Sequence, residues 1–215
     1  MRRDEATINR DQIVLAALEI VDEGGNGELS MRAVAARVDR HVSSLYNHVA
    51  NRAELVELLS AHIVNGIDVS DFEVSSWDVA IAEWSRSYVA AFLAHPNMVQ
   101  ILATAPVRDA PTLLMYESIM RSLVSQGWPL REAVYAIRMV EAHAWGSVFD
   151  IVAPDPDFAL YESDPNLTMV SQMLASGSAH DYGARASYEA GLVILVEGLR
   201  TRHAAVAVRA SSPRG

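Results

Sequence analysis

The chain contains neither cysteine nor lysine. Without thiols it can form no disulfide framework and no thiolate metal site, so packing must hold the fold and a reducing compartment, the cytoplasm, is expected. The missing lysine leaves arginine as the source of all 17 side-chain cations, a bias that reads as genome composition rather than function. No apolar run approaches the roughly 18 residues of a membrane span. The opening MRRDEATINRDQIV sets acids directly after its arginines and lacks the apolar core of a signal peptide. No membrane partner is therefore expected. Strand-like alternation with hairpin turns is also missing, which predicts an all-α fold.

What is present is apolar enough for a real core: 51% of the 215 residues are hydrophobic, which argues against global disorder. The net charge is −10, yet its distribution is uneven. Between Ser30 and Arg52 stand Arg32, Arg37, Arg40 and Arg52 against Asp39 alone, a local +3. An anionic partner can be met there and repelled elsewhere.

Helical periodicity organises the N-terminal third. In INRDQIVLAALEIVDEGGNG, Ile13, Ala16, Ala17, Ile20 and Val21 share a face, Asn9 and Gln12 form a capping box, and Gly24 and Gly25 are a stop. This predicts a helix over about residues 10–23. Ser30 is an N-cap for a second helix carrying Met31, Val34, Ala35 and Val38 at i, i+3, i+4 and i+7, which ends near Val38 and Asp39. HVSSLYNHV then turns Leu45 and Val49 inward and Ser43, Ser44 and Asn47 outward. Asn51 with Glu54 forms another capping box, opening a longer helix through RAELVELLSAHIVNGI. Three short helices followed by a connector make a helix-turn-helix headpiece.

The chain divides accordingly into a headpiece over 1–50, a connecting helix and linker over 51–73, and a larger helical domain over 74–209. Pro96, Pro106, Pro129 and Pro154 punctuate the helical segments of the last part. The stretch from Pro154 to Gly183, rich in Pro, Asp and Ser, reads as a surface excursion or lid with a short helix around Leu167 to Leu174.

Residues 41–48 carry what a helix needs in the DNA major groove: short polar side chains close to bases and phosphates, with cations on the flanks. Ser43 and Ser44 can donate to either target, and Tyr46 and His48 can reach backbone phosphates. Arg32 opens the preceding helix and Arg52 the following one. A solvated polar face on a helical bundle fits this helix taken alone. Inward Ala35, Val38, Leu45 and Val49 across a tight turn favour the DNA reading.

The stretch LSMRAVAARVDRHVSSLYNHVANRAELVELL closely resembles the operator-binding headpiece of TetR-family transcriptional repressors. The similarity extends through SWDVAIAEWSRSYVAAFLAHP and SQGWPLREAVYAIRMVEAHAWGSVFD, and is nearest to the tetracycline-repressor branch, including its C-terminal domain. The resemblance implies a homodimeric repressor that binds a palindromic double-stranded operator and a small-molecule effector. It implies that Arg32, Val42 and Ser43 face bases, and that Ser44, Tyr46, His48 and Arg52 grip phosphates. Asp39 stands where the family often has glycine; it tolerates a left-handed turn, and capping the next helix would offset its charge near DNA.

The resemblance assigns effector binding and dimerisation to residues 74–209. EAGLVILVEGL is apolar nearly all round. It fits the centre of a monomeric bundle or, as the resemblance implies, a four-helix interface with the 130–151 helix and its twin, through Ala190, Leu192, Leu195 and Leu199. For the effector, Trp84, Tyr88 and Phe92 lie at i, i+4 and i+8, joined by Met98, Leu102, Tyr116, Met120, Met139 and His143. Each fits plain core as well as a cavity wall; as a set they are the expected lining.

Departures from the tetracycline repressors narrow the effector. Trp84 and Tyr88 replace their Asn and Phe, Leu102 replaces their metal-binding His, and Ile119 stands at their pocket Gln. Magnesium-tetracycline is therefore excluded as effector, no metal or cofactor site is expected, and Asp150 alone makes a poor cation site. A more apolar or aromatic molecule is expected.

Two other functions compete. An enzyme using Glu141, His143 and Asp150 is disfavoured, because Glu141 and His143 point about 160° apart on one helix. A helix-turn-helix regulator without a small-molecule effector is harder to separate, and the presence or absence of an open cavity near Trp84 discriminates it.

Overall fold

The computed structural model describes residues 8–106, 108–154, 166–176 and 183–211. Among these the regular elements are helices, so the fold is all-α as the pattern predicts. The first four are α1 (Arg10–Gly24), α2 (Met31–Arg37), α3 (Val42–Leu45) and α4 (Arg52–Val64). They lead through α5 (Asp71–Val74) to a body of α6 (Trp77–Ala94), α7 (Asn97–Thr104), α8 (Ala110–Ser125) and α9 (Leu130–Val152). After α10 (Thr168–Ser176) the described chain closes with α11 (Ala184–Ser211). No helix among the described residues is long and apolar enough to cross a membrane.

Local chemistry explains the starts and stops. Asn9 Oδ1 accepts the Gln12 N–H at 2.8 Å and Gln12 Oε1 accepts the Asn9 N–H at 3.0 Å, a complete capping box for α1. Gly25, at φ 71°, ends that helix in a conformation a side chain would resist. Ser30 Oγ caps α2 by accepting from Ala33 N at 3.1 Å.

The box predicted at α4 forms only by half. Asn51 Oδ1 accepts from Glu54 N at 3.0 Å, but Glu54 Oε2 accepts from Ala50 N at 2.6 Å rather than from Asn51. Its other oxygen pairs with Arg10 of α1 at 3.4 Å, which accounts for the altered reach of the carboxylate.

Between α2 and α3, Asp39 takes a left-handed conformation with φ 52°. It does not cap α3, however: His41 occupies the N-cap position, with no side-chain cap bond. The turn is tied by backbone, Arg40 N donating to Ala35 O at 2.9 Å. Leu45 and Val49 are buried beneath it against Val34, Ala35 and the inner face of α1.

One apolar cluster continues from these helices into the body, so the headpiece is not a bead on a flexible string. Polar contacts reinforce the junction: Asn97 Nδ2 donates to Val21 O at 2.9 Å, and His95 Nδ1 lies 2.8 Å from Asp22 Oδ2. In the body, α9 turns Ala133, Ala136, Val140, Ala144 and Val148 inward, and the small residues let α6 and α11 approach closely. Gly191 makes the same allowance on α11, since a Cβ there would lie 2.6 Å from the His143 ring.

The excursion after Pro154 falls partly on α10, close to the short helix expected at 167–174. Residues 155–165 and 177–182 lie outside the described residues.

The left-handed turn yields a stability prediction. Asp39→Val should cost about 1 kcal/mol while Asp39→Gly costs nothing or stabilises, because a β-branched residue resists positive φ. Equal urea-unfolding free energies for the two variants would remove the turn as the cause.

Candidate functional site

The chain brings together two features of interest: a polar surface over α2 and α3, and a cavity behind α4. Tyr46 is 53% exposed, and Arg32, Ser43 and Asn47 are also exposed, while Ser44 and His48 are half-buried. The burial of Leu45 and Val49 orients α3, leaving hydroxyl, amide and imidazole groups on its solvent side. Arg10 fixes the end of this segment by donating from Nε to His48 O at 2.9 Å.

Two of the seven predicted DNA contacts are placed differently from expectation. Val42 is half-buried and packs on the headpiece core, which draws its methyl groups toward apolar neighbours. Arg52 turns back on its own chain: Nε donates to Leu29 O at 3.1 Å and Nη2 to Asn26 Oδ1. Its guanidinium is thus engaged at the α1–α2 connection.

Arg52 also belongs to the wall of a cavity of about 270 Å3 enclosed by α4, α6, α7, α8 and α9. Apolar lining comes from Val56, Phe92, Ile101, Leu102 and Met115. The exposed members of the wall, among them Asn26, Arg52, Thr104 and Arg108, mark an open end facing the headpiece. Asp109 is buried there because both oxygens are used, Oδ1 by Thr112 N at 2.8 Å and Oδ2 by Ser60 Oγ at 3.0 Å.

Glu57 of α4, with Tyr88, Tyr116 and Trp145, adds polar atoms elsewhere in the wall. Trp145 Nε1 donates to the Tyr88 hydroxyl at 2.8 Å, and the Tyr116 hydroxyl donates to Glu141 Oε1 at 2.5 Å. Burial pushes the Glu141 carboxyl above its ordinary range, outweighing the Tyr116 hydrogen bond and the Arg138 charge that pull it down. Burial raises both phenols too, so they stay protonated donors.

Of the nine residues expected to line an effector cavity, Tyr88, Phe92, Leu102 and Tyr116 line this cavity. The other five are corrected by packing. Trp84 lies behind Tyr88, ring centroids 5.7 Å apart, and is fully buried, as is Met98. Met120 is half-buried against the core, and Met139 is 51% exposed on the outer side of α9. His143 faces α11, its Nε2 lying 3.1 Å from Tyr188 O. Helical spacing names a face but not which neighbour covers it, and a turn of one position exchanges core for cavity.

The sequence reading missed Ser60, Arg108, Asp109, Thr112 and Trp145 altogether. The DAPT stretch could have flagged two of them, since an Asp three residues before Thr at a proline-marked helix start is an N-cap signal.

The dimerisation residues also need correction. Leu192 and Leu199 are buried in this chain's own core, at 1% and 5% exposure, and Leu195 is half-buried. Ala190 is exposed, and beside it α11 presents Val193 and Ile194 at 52% and 69%. The helix is apolar all round because one side serves the subunit and the other faces out. On α9, Tyr135, Met139 and Phe149 are exposed as well.

Residues 72–203 match the family model described as the tetracyclin repressor-like C-terminal domain. That is more than half of the chain, and the chain belongs to the tetracycline-repressor (TetR) family. It is 27% identical to the class G tetracycline repressor protein of Vibrio anguillarum over 209 residues, covering 93% of this chain and 97% of that one. It is 28% identical to the HTH-type transcriptional repressor DrrR1 of Streptomyces coeruleorubidus over 150 residues, 68% of this chain. It spans only about half, 54%, of that relative's own length. Apo ActR of Streptomyces coelicolor matches with a TM-score of 0.73 at 25% identity, covering 94% of this chain and 99% of that chain. ActR in complex with actinorhodin matches at 0.68 and 25%, covering 90% and 96%.

The shifted Glu141 carboxyl has a measurable consequence. Its folded pKa lies above the ordinary 4.5, so the folded state holds the extra proton. The stabilisation is full below 4.5 and is lost as pH rises through the folded value. Glu141→Gln should therefore gain stability relative to the parent across that window. Urea midpoints that differ by a constant amount at all pH values would contradict this.

Proposed function

We propose that the chain is a homodimeric DNA-binding transcriptional regulator, acting as a repressor that a small, largely apolar or aromatic effector releases from a palindromic operator. Helices α1 to α3 are the headpiece over 1–50, residues 51–73 connect it, and residues 74–209 sense and dimerise. The observation that carries the reading is the shared use of α4. Its first residue, Arg52, follows the polar surface of α3, while Arg52, Val56, Ser60 and Val64 wall the cavity. A molecule that fills the cavity presses on the rod that positions the headpiece. A dimer reads half-sites about one helical turn apart, so a small tilt of α4 in each subunit spoils the spacing. A coupling of about 1–3 kcal/mol corresponds to a 5- to 150-fold loss of operator affinity.

Family membership and the ligand-bound state of ActR support a ligand-responsive reading. Leu102, an apolar residue of the wall, stands where the tetracycline repressors have their metal-binding His, which counts against a magnesium chelate. Arg32, Ser43, Ser44, Tyr46 and His48 stand as the DNA contacts, with Arg52 as a phosphate contact that must first leave Asn26.

Selection of DNA fragments on the purified protein tests this directly. A palindrome should be enriched, with Tyr46→Ala weakening all sequences alike, and Arg32→Ala or Ser43→Ala also relaxing base preference by about 1–3 kcal/mol at the contacted position. Failure to enrich any sequence overturns the DNA-binding reading. For the dimer, the exposed apolar sides of α9 and α11 are the proposed seam. Ile194→Glu should give monomers in sedimentation; dimers that persist would remove these helices from the interface.

A further inference from the structure

The Tyr88 hydroxyl is only half used. Its oxygen accepts the Trp145 indole N–H at 2.8 Å, while none of the described residues accepts its own proton. The residue is 4% exposed and its side chain forms part of the cavity wall. A buried donor without an acceptor costs free energy that a bound acceptor would return. Donation from the indole polarises the phenol and makes its O–H the stronger donor.

The neighbouring phenol differs. Tyr116 gives its proton to Glu141, whose carboxyl lies behind Tyr116 and is not part of the wall. An anionic ligand oxygen here would be desolvated near that carboxyl, with the wall's cations, Arg52 and Arg108, on its exposed side. A ligand ammonium would find the Asp109 carboxylate already committed to Thr112 and Ser60 and the Glu57 carboxylate across the cavity on α4. A neutral acceptor oxygen meets neither objection. The surroundings set the rest of the molecule: the Tyr88 and Phe92 rings lie 4.8 Å apart and 31° from parallel, with Trp145 and Phe92 edge to face at 6.5 Å. Such a wall suits a flat ring system.

We propose that the effector is a neutral aromatic ketone, whose carbonyl oxygen accepts the Tyr88 proton while its rings lie against Phe92 and Trp145. This rests on the reading of the cavity as the effector site and names the chemistry recognised there.

The test compares 9-fluorenone with fluorene, tricycles that differ in carrying C=O or CH2, binding to the full-length protein by calorimetry. Fluorenone should bind roughly tenfold more tightly, because a site built to donate a hydrogen bond discriminates against an analogue that lacks the acceptor. Tyr88→Phe should remove that preference and leave fluorene affinity within about twofold, whereas Tyr116→Phe should keep the preference, since the Tyr116 proton is committed to Glu141. Independently of any variant, the infrared carbonyl stretch of bound fluorenone should lie below its position in a hydrocarbon solvent. Equal binding of the two probes, or an unshifted carbonyl, overturns the ketone proposal and leaves the sensor reading standing. Binding of neither overturns the ketone proposal and counts against the effector cavity as well.

Discussion

The arrangement depends on a packing constraint at α4. The apolar residues Leu55, Leu59 and Ile63 of this helix are buried in the same core that holds α1, while Val56, Ser60 and Val64 reach the cavity between it and the body. A side chain cannot be withdrawn from one set without disturbing the other, because packed interiors have discrete arrangements rather than continuous ones. The headpiece inherits its position from this rod, with Asn97 and His95 tying α1 to the start of α7 on the other side.

Charge follows the same division. The acids and arginines of the first four helices largely satisfy each other: Arg37 of α2 bonds both Glu19 and Glu23 of α1, and Arg10 of α1 bonds Glu54 of α4. These exposed pairs add little stability individually, but they fix which arginines are committed. Arg32, at the first turn of α2, is exposed and makes no ion pair among the described residues. A protein of net charge −10 can therefore offer a polyanion a local welcome without becoming a general polycation binder.

The wall of the cavity combines apolar side chains with polar groups, several of which pair with one another. Asp109, Ser60 and Thr112 form one closed group, and Tyr116 with Glu141 another. Such pairs hold their own geometry, whereas the Tyr88 O–H has no acceptor among the described residues.

The left-handed turn at Asp39 followed from the family resemblance, while residue spacing and cap chemistry were sufficient for the all-α fold, the capping box of α1 and the inward placement of Leu45 and Val49. These are set by the φ preferences, cap chemistry and 3.6-residue period of local segments, all of which are written in neighbouring residues. Which wall faces the cavity was not legible. Trp84 and Tyr88 lie one turn apart on α6, yet one is sealed behind the other, and Met139 and His143 on α9 go to solvent and to α11. The same holds for α11, where Leu192 serves the core while the next two residues, Val193 and Ile194, are exposed. Periodicity ranks the faces of a helix, but burial depends on the helices that arrive from far along the chain. That is why the sequence determined the helices and the polar face of the headpiece, and only the tertiary structure decided the cavity, its half-used phenol and which apolar residues of α11 lie exposed.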